Sequence, residues 1–572
     1  MSDPLKHECA VAMLRLRRDA RYFQSKYGTT DYALDKVTLL LEKQHNRGQD
    51  GAGLAVLHPH AAPGTPLYHI GKSATWNPLA DLLEQVQSDR ENFNGELLLG
   101  HLRYATFGRN DLSCCYPFVH ESTCPGRLLL LAGNFNLTEN QEMYDRFVAS
   151  GHHPVSRADG YLLLQTIAHY LEKESDLHAA TPDLAKILRQ ALNELDGAFT
   201  LCGMTGAGDA FAIRDARGIR PGYFYFDDEV FAVASERPAI QAAFNCATSE
   251  VMELPPGKAV IVDRNGEINI LGCLDPKPRR GCVFERIYFS RGNDADIHRE
   301  RRELGAKLVP AVLESVDHDF DNTVFSYIPN SAQVCFHGML EQLNRIALAD
   351  GRCVRFGQVA VKDAKFRTFI TDAAHRRDMY RHVYDVTYGL VHPGGDALVV
   401  LDDSIVRGNT MRNAILPMLD RLGPRRIVIA SSAPPVKYPD CYGIDMATAG
   451  ELAAFQAVIS RLRKQGRDDL IEEAGNLARS DLASGGNRNR MRMLYDAVPE
   501  EELIDEITAL LTPPDLRAEL RVVFQSCENL RRCCPQHRGD WYFTGDYPTP
   551  GGVRFVNRAL VNFLENHHER AY

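Results

Sequence analysis

The sequence lacks the features that would place a protein in a membrane or on nucleic acid. No apolar run approaches the ~20 residues that cross a bilayer, and the polar start, Met1–Glu8, has no signal-peptide core. The net charge is −10, whereas non-specific nucleic-acid binding requires a basic surface. We therefore predict a cytosolic protein that binds neither membranes nor nucleic acids.

The sequence also lacks internal repeats and low-complexity tracts. Its 14 cysteines are expected to be mostly reduced thiols, because disulfides are rare in the cytosol. Hydrophobic residues make up 44% and charged residues 24% of the chain, which is ordinary for a globular protein. A chain of 572 residues exceeds what one core supports, so two large domains are expected.

The first part of the chain reads as a layered, mostly antiparallel β-rich domain. Helical patterns occur at Tyr32–Lys43 and Gly160–Leu171. Short apolar runs bounded by Gly and Pro predict the strands. These runs are Glu96–Leu99, Leu128–Ala132, Ala198–Met204, Ala210–Arg214, Gly222–Phe226, Val230–Ala234 and Lys258–Val262.

Beyond a Pro- and Arg-rich boundary at 275–281, strands alternate with helices. The run Thr323–Ile328 precedes a helical pattern at Gln333–Leu348, and Ala397–Leu401 is apolar throughout. Such a run is typical of a central parallel strand, so we predict an α/β domain. Pro417 should kink the following helix. The last forty or so residues, rich in Cys, Arg, Gly and Pro, are expected to be irregular.

Cys9 is a candidate nucleophile at the start of a small apolar strand. If residues 1–8 were removed, its α-amine, with a pKa near ~8, could act as base for its own thiol. Arg103 could bind a carboxylate and Asp159 an ammonium group. Asn134 and the N–H of Phe135 could stabilise an oxyanion. Together these groups indicate a glutamine site, although singly they also suit a core thiol and surface ion pairs.

A second candidate site follows the apolar strand that ends near Asp402 and Asp403. Ligands in open α/β sheets bind beyond the carboxyl ends of strands. The next loop consists of Ser404, Ile405, Val406, Arg407, Gly408, Asn409 and Thr410. Its N–H groups and the helix start behind it could hold a phosphate, and the two acids could hold ribose hydroxyls or Mg²⁺. The alternative is that the acids serve as turn residues and helix caps.

In this order, the motifs resemble those of the glutamine phosphoribosylpyrophosphate amidotransferases, also called amidophosphoribosyltransferases. The resemblance covers nearly all of residues 8–450, and its last stretch resembles the type I phosphoribosyltransferase signature. The matching stretches are Glu8–Cys9, Gln44–Gly53, Gly100–Gly108, Arg214–Pro221, Ala234–Glu236, Phe284–Arg291, Arg367–Ile370 and Leu401–Thr410.

The resemblance implies a four-layer αββα N-terminal-nucleophile domain followed by a type I phosphoribosyltransferase domain with a parallel sheet. The implied boundaries are a propeptide 1–8, a glutaminase domain 9–273, a linker 274–284, a phosphoribosyltransferase domain 285–465 and a helical, Cys-containing extension 466–572. Glutamine would be hydrolysed at Cys9 through a thioester. The ammonia would then displace pyrophosphate from phosphoribosyl pyrophosphate, which is the first step of de novo purine biosynthesis.

The resemblance also implies roles for individual residues and partners. The glutamine-binding positions are Arg47, Arg103 and Asp159, and the catalytic ones are Cys9, Asn134 and Phe135. The sugar-phosphate positions are Ser331, Lys362 and Asp402–Thr410, with Mg²⁺ at Asp402 and Asp403. Purine nucleotide inhibitors and a homo-oligomer, either a dimer or a tetramer, are expected.

The chain departs from the family pattern around the glutamine site. Ala10 replaces a Gly, Gly133 replaces a His, Phe135 replaces a Gly and Asn46 is an extra residue. The segment between Cys9 and Arg47 is also longer than the family pattern. The N–H of Phe135 remains an oxyanion donor only if this residue adopts the loop conformation that Gly allows.

Some members of the family carry a [4Fe–4S] cluster, for which the sequence gives two interpretations. Cys282 matches one ligand position, Cys441 is one residue out of register, and the closing Cys-x-x-Cys is absent. Cys527, Cys533 and Cys534 could substitute for it. Four unrelated thiols are an equally good interpretation.

Three functional hypotheses follow. The first is the amidotransferase. The second is another glutaminase of this nucleophile class, such as a sugar-phosphate aminotransferase, against which the Asp402–Gly408 loop argues. The third is a non-catalytic regulator that binds nucleotides or phosphoribosyl pyrophosphate and has an inactive glutaminase domain, which the altered loop at Gly133 and Phe135 motivates.

Overall fold

The computed structural model describes residues 8–104, 111–174, 182–362 and 384–567. Most of the predicted propeptide, the end of the Gly100–Gly108 motif and the whole Arg367–Ile370 motif lie outside these ranges. The strands are β1 (Ala10–Leu16), β2 (Gly51–Leu57), β3 (Tyr68–Ser73), β4 (Leu97–Arg103), β5 (Phe118–His120), β6 (Leu129–Leu137), β7 (Gly197–Thr205), β8 (Ala210–Arg214), β9 (Tyr223–Phe226), β10 (Val230–Ala234), β11 (Met252–Glu253), β12 (Lys258–Val262), β13 (Ile268–Gly272), β14 (Thr323–Tyr327), β15 (Arg355–Phe356), β16 (Ala360–Lys362), β17 (Tyr384–Val386), β18 (Ala397–Asp402), β19 (Arg426–Ser431) and β20 (Glu519–Phe524).

The helices of the described ranges surround these strands. They are α1 (Ala20–Tyr27), α2 (Tyr32–Lys43), α3 (Pro78–Ser88), α4 (Arg90–Phe93), α5 (Asn140–Ala149), α6 (Asp159–Glu174), α7 (Leu184–Leu192), α8 (Arg237–Phe244), α9 (Ala295–Ser315), α10 (Gln333–Ala349), α11 (Leu416–Asp420), α12 (Ala453–Lys464), α13 (Asp468–Ser484), α14 (Arg492–Asp496), α15 (Glu500–Leu511), α16 (Cys527–Cys533), α17 (Trp541–Thr544) and α18 (Pro550–Leu564). No helix in these ranges combines the length and apolarity needed to cross a bilayer.

Two antiparallel sheets form the first half of the molecule. One has the order β11-β9-β10-β1-β4-β2-β3 and the other β13-β12-β8-β7-β6-β5. Alternate side chains of a strand point to opposite faces. In β1, Val11 and Met13 therefore face a core shared with Leu130 and Cys202 of the other sheet. Ala12 and Leu14 face the opposite way, into a core shared with helices.

Helices cover the outer face of each sheet. Leu34, Val37 and Leu41 of α2 pack on the first sheet, because their i, i+3, i+7 spacing places them on one helix face. Helices α6 and α7 cover the second sheet with Leu163, Ile187 and other apolar residues. The layers are thus helix, sheet, sheet and helix, which confirms the predicted αββα fold.

The second half contains a five-stranded parallel sheet in the order β15-β14-β18-β19-β20. Strand β18 is buried along its whole length, as its apolar sequence predicts. Pro417 lies in α11, which directly follows a wide π-helical turn at Met411–Ile415. That local widening accommodates a proline inside a helical segment, where the ring would clash with the preceding turn.

The expectation that the last forty or so residues are irregular was wrong, because α17 and α18 lie among them. Strand β20 pairs with β19 and completes the parallel sheet, so the region 466–572 contributes a strand to the sheet as well as helices. Helix α18 begins after Thr549, whose hydroxyl accepts the Gly552 N–H at 3.1 Å. Pro550, Gly551 and Gly552 form the first turn of this helix. A proline is tolerated there because the N–H that it lacks would have no partner within the helix.

Candidate active sites

A small cavity lies where β1, β4 and β6 meet the start of α6, and Cys9 is part of its wall. Its other lining residues are Arg103, Tyr104, Cys114, Tyr116, Phe118, Gly133, Asn134, Phe135, Ala158, Asp159 and Gly443. Five of the six residues predicted for the glutamine site are therefore brought together, although they are spread over 150 positions of the sequence.

The Cys9 thiol is held at the edge of the first sheet by the backbone of Tyr104. Its Sγ accepts the Tyr104 N–H at 3.2 Å. Burial raises the pKa of Cys9 to about 11, against the opposing effects of that hydrogen bond and of the Arg103 charge. The thiol is therefore protonated at neutral pH, and a nearby base must accept its proton before Cys9 can attack a carbonyl.

Arg103 and Asp159 supply opposite charges to the cavity. Arg103 is the last residue of β4 and Asp159 the first of α6. Burial raises the pKa of Asp159 to about 6, while the Gly160 N–H, at 2.8 Å, and the Arg103 charge lower it. A guanidinium and a carboxylate in one small cavity suit the two charged groups of a free amino acid.

The backbone of β6 points a donor toward this cavity. The Gly133 carbonyl accepts a hydrogen bond from His101 Nε2 at 2.9 Å. Burial lowers the pKa of His101 to about 3, so the ring is neutral and Nε2 carries the proton. The Gly133 carbonyl therefore points away from β7, and so does the backbone of Phe135, two residues along the strand.

The partner strand gives the same result. Phe135 lies opposite Phe199 of β7. The Phe199 N–H donates to Asp215 Oδ2 at 3.3 Å and its carbonyl accepts the Asp215 N–H at 2.8 Å. Both backbone groups of Phe199 are therefore directed toward Asp215 and away from β6. The pair that Phe199 forms with Phe135 is consequently of the non-hydrogen-bonded kind. The Phe135 N–H is thus directed to the edge of the sheet beside Asn134.

The two changes from the family pattern in β6 fit each other. A Cβ atom on Gly133 would come within 2.7 Å of the Thr200 carbonyl oxygen and of Leu201, so no side chain fits there. The Phe135 ring packs edge-on against Tyr116, with centroids 5.7 Å apart. The altered loop is therefore a repacked version of the site that retains its backbone donor.

Arg47, in contrast, lies outside the lining of the cavity. Its guanidinium is buried and pairs with Glu236 at 2.6 Å, Glu285 at 2.6 Å and Glu8 at 3.5 Å. With three carboxylates around it, its charge is neutralised within the protein. Through these pairs Arg47 joins the first half to the π-helical turn Glu285–Phe289, and its role in glutamine binding stays a prediction.

The second predicted site lies at the carboxyl end of β18. The Asp403 carboxylate accepts hydrogen bonds from the hydroxyl groups of Ser331 and, at 3.0 Å, Ser404. Burial raises the pKa of Asp403, while both hydroxyls lower it. Gly408 has φ +76°, and a Cβ atom there would meet Leu511 at 2.4 Å, so the loop requires glycine.

Three further predicted residues of this site are placed as follows. Asp402 is the last residue of β18 and is buried. Arg407 turns away from the strand end, because its Nε pairs with Glu451 at 2.8 Å and its Nη2 donates to the Asp445 carbonyl at 3.0 Å. Lys362 ends β16, where its backbone pairs with Tyr384.

Comparisons with known proteins support the resemblance found in the sequence. A model of the glutamine amidotransferase domain matches residues 124–242. The chain is 28% identical over 463 residues to the amidophosphoribosyltransferase of Pseudomonas aeruginosa, covering 77% of this chain and 85% of that protein. It is 28% identical over 456 residues to the Escherichia coli amidophosphoribosyltransferase, covering 76% and 83%. The resemblance to the amidophosphoribosyltransferases is confirmed.

Two solved structures show the same fold. The glutamine phosphoribosylpyrophosphate amidotransferase from B. subtilis, complexed with ADP and GMP, has a TM-score of 0.66 at 22% identity, covering 95% of this chain and 97% of that one. A structure described as the allosteric regulatory enzyme of purine biosynthesis has a TM-score of 0.67, also at 22% identity, covering 95% and 96%.

The two cofactors that the amidophosphoribosyltransferase resemblance implies fit this chain differently. Adjacent acids at a strand end suit Mg²⁺, which binds one or two carboxylates plus substrate phosphates, and Asp402 and Asp403 provide them. The cysteines do not fit a cluster, since no three His, Cys, Asp or Glu side chains in the described ranges are grouped to hold a metal. The Tyr542 hydroxyl lies 3.1 Å from Cys282 Sγ and also donates to the Gly539 carbonyl at 3.0 Å.

Three residues beside the two candidate sites carried no assigned role in the sequence. Arg301 of α9 donates to the Ser290 carbonyl at 2.7 Å and its charge acts on Asp403. Gly443, from the second half, helps to line the Cys9 cavity. Arg220 lies in the matching stretch Arg214–Pro221 and pairs with Glu8. Only the folded chain brings these residues to the sites, so spacing along the sequence could not identify them.

Proposed function

We propose that the protein converts 5-phosphoribosyl 1-pyrophosphate and glutamine to 5-phosphoribosylamine, the first step of de novo purine biosynthesis. The observation that carries this proposal is the cavity in which Cys9, Arg103, Asp159 and the Asn134–Phe135 donors meet. The relatives named amidophosphoribosyltransferases support the same reaction. The alternative of a non-catalytic regulator rested on the altered β6 sequence at Gly133 and Phe135. The backbone N–H that Phe135 retains argues against an inactive glutaminase site.

Glutamine hydrolysis requires the chain to begin at Cys9. The freed α-amine takes the thiol proton, and Sγ attacks the side-chain amide carbon of glutamine. The Asn134 amide and the Phe135 N–H stabilise the oxyanion. The C–N bond breaks, the protonated amine returns its proton to the leaving ammonia, and water then hydrolyses the thioester to glutamate. Arg103 holds the α-carboxylate of the substrate and Asp159 its α-ammonium group.

Ammonia then passes to the carboxyl end of β18. It attacks C1 of phosphoribosyl pyrophosphate, the C–O bond to pyrophosphate breaks, and the new amine loses a proton. Asp402 and Asp403 hold the ribose hydroxyls, the loop Ser404–Thr410 holds the 5-phosphate through N–H groups, and Ser331 and Lys362 face the pyrophosphate. Mg²⁺, when held by the two acids, neutralises charge on the pyrophosphate.

The proposal extends to location, regulation and assembly. We retain the domain boundaries 9–273 and 285–465, a cytosolic location and a homo-oligomer, either a dimer or a tetramer, as parts of it. Purine nucleotides are proposed as inhibitors, and the B. subtilis structure, whose description names ADP and GMP, supports nucleotide binding.

Replacement of the nucleophile tests the central claim. We expect Cys9→Ala to abolish glutamine-dependent pyrophosphate release and to leave synthesis with high ammonia intact, because the sugar-phosphate site lies elsewhere. Cys124→Ala, at a half-buried thiol outside the Cys9 cavity, is the matched control and should keep both activities. Loss of both activities in Cys9→Ala would contradict two separable sites.

A further inference from the structure

The carboxylate of Glu8, the residue before the nucleophile, is buried among positive and polar groups. Its side chain is 1% exposed. It forms ion pairs with Arg220 and, at 3.5 Å, with Arg47. Asn134 Nδ2 donates to Glu8 Oε2 at 3.2 Å. A carboxylate is buried at this depth only when such partners offset its desolvation, so the three groups form a slot shaped for an anion.

The two arginines of this slot depend on Glu8 to different degrees. Arg47 keeps Glu236 and Glu285, each at 2.6 Å, when Glu8 is absent. For Arg220, Glu8 is the only carboxylate within ion-pair distance in the described part of the chain. The charges of Glu285 and Asp440 also act on Arg220 from the second half of the molecule. Loss of Glu8 therefore leaves Arg220 as the group that most needs a new anion.

The Asn134 amide links this slot to the glutamine cavity. Asn134 lines the cavity with Cys9, and in the proposed reaction its Nδ2 faces the oxyanion. In the uncut chain the same Nδ2 is bound to Glu8. Nδ2 carries two N–H groups. The one that donates to the Glu8 carboxylate is held there by a charge-assisted hydrogen bond, so it is not available to a developing oxyanion.

We propose that Glu8 is an internal competitor, which fills an anion slot made by Arg220, Arg47 and Asn134 and withholds one N–H of the Asn134 amide until the Glu8–Cys9 bond is hydrolysed. This inference rests on the proposed function. Hydrolysis adds one water, breaks the C–N bond, and leaves a carboxylate on Glu8 and an amine on Cys9. Cleavage thus does two things: it creates the catalytic base and releases the oxyanion donor. The emptied slot binds a carboxylate side chain.

Peptide binding to the cleaved chain tests the slot directly. The probe is a labelled peptide of residues 1–8, and the matched control is the same peptide with Glu8→Gln, which keeps the shape but not the charge. By fluorescence anisotropy we expect the Glu8 peptide to bind at least tenfold more tightly. The Arg220→Met chain should bind both peptides equally. If both peptides bound the cleaved chain without substitutions with equal affinity, or if neither bound, the proposal would be overturned.

Kinetics with the same peptides report on Asn134. The Glu8 peptide should raise the apparent KM for glutamine in glutaminase assays and leave ammonia-dependent synthesis unchanged. Inhibition of both reactions would place the peptide elsewhere. If the cleaved chain shows no glutaminase activity without peptide, the proposed function fails, while the anisotropy measurement still decides whether the slot exists.

A double-mutant cycle tests the pair within the uncut chain. In a Cys9→Ala background that cannot be processed through its thiol, Glu8→Gln and Arg220→Met should each lower the melting temperature. The double variant should lie close to the Arg220→Met variant, because the unpaired cation is gone. Strictly additive shifts would show that the two residues are not coupled and would overturn the assignment.

Discussion

At the scale of single residues, the environment of Asp159 couples glutamine binding to pH. Burial raises the pKa of Asp159 to about 6, whereas the unfolded chain titrates it near 3.8. Only the ionised form attracts an ammonium group. The residue proposed to recognise the amine of the substrate thus changes its protonation state just below neutral pH.

We expect the KM for glutamine to rise as the pH falls through about 6, because Asp159 becomes protonated. Asp159→Asn should raise KM at pH 7.5 and abolish this pH dependence, which initial-rate assays of glutamate release can measure. Ammonia-dependent synthesis is the internal control and should not share the dependence. A KM that varies with pH equally in Asp159→Asn would assign the titration to another group.

The raised pKa of Asp159 also affects the stability of the fold, which decreases as the pH rises, whereas glutamine binding is expected to improve. Between pH 4 and 6 the unfolded chain releases the Asp159 proton before the folded chain does, so folding loses stability as the pH rises through this range. Asp159→Asn therefore removes a cost that is present at pH 7 and absent at pH 3. A binding residue that is destabilising in the free protein is common at functional sites.

The predicted site residues that the structure brings together stand at the ends of strands and helices. Cys9, Arg103 and Asp159 each stand at an element boundary, and those boundaries converge in the fold. Arg47 was placed differently, because its partners Glu236 and Glu285 lie 189 and 238 positions away. No pattern along the chain reveals a carboxylate at that separation.

At the scale of elements, the N-terminus of α18 is fixed by the first half of the molecule. Asp196 Oδ2 accepts the Gly551 N–H at 2.8 Å, and its Oδ1 accepts the hydroxyl groups of Thr549 and Thr138, each at 2.5 Å. A carboxylate at a helix start satisfies free N–H groups and interacts favourably with the helix dipole. The contact joins the C-terminal helix to β6 and β7.

Gly551→Ala should disrupt this contact. The new Cβ atom would lie 2.1 Å from Thr138 Oγ1 and 2.6 Å from Asp196 Oδ1, so the helix must move away, at a typical overpacking cost of about 1–3 kcal/mol. Thermal unfolding measures the loss. Gly126→Ala is the control, because nothing lies within 4 Å of a Cβ atom at that turn. A melting temperature unchanged in both variants would mean that the helix start is not held tightly.

Element prediction followed the strength of the periodic signal. The long helix α10 and the buried strand β18 were predicted almost to their ends, because their apolar residues recur over many positions. Helix α18 was missed, although Val553, Val556 and Leu560 face the core at helical spacing. The cluster of Gly and Pro residues at 548–552 indicated a loop, and only the contacts with Asp196 make it a helix start.

At the scale of the whole molecule, the surroundings of Cys282, which matches a cluster-ligand position in the sequence, are filled by side chains from the C-terminal region. Tyr542 bonds Cys282, and Trp541 Nε1 donates to Asp440 at 2.8 Å. Burial raises the pKa of Cys282 to about 12, which opposes the thiolate form that iron requires. In this region aromatic side chains such as Tyr542, which packs edge-on against Phe284, fill the space around Cys282.

Protein purified without air should therefore contain neither iron nor acid-labile sulfide, and metal and sulfide analysis measure both. Cys282→Ala should retain glutamine-dependent synthesis, because its thiol contacts only Tyr542 among the hydrogen bonds of the described residues. Four iron atoms per chain, lost in Cys282→Ala together with activity, would contradict this interpretation.

If one chain carries two separate sites, a substitution in one site should impair its own reaction and leave the reaction of the other site intact. Asp403→Asn should reduce synthesis with either glutamine or ammonia, because in the proposed reaction the buried carboxylate beside Ser331 and Ser404 serves the sugar-phosphate site alone. Its glutaminase activity without phosphoribosyl pyrophosphate should persist, which is the converse of Cys9→Ala. Asp350→Asn, at the exposed end of α10, is the control and should match the unaltered enzyme. If Asp403→Asn kept full ammonia-dependent synthesis, the reacting sugar would have to bind elsewhere than at the end of β18.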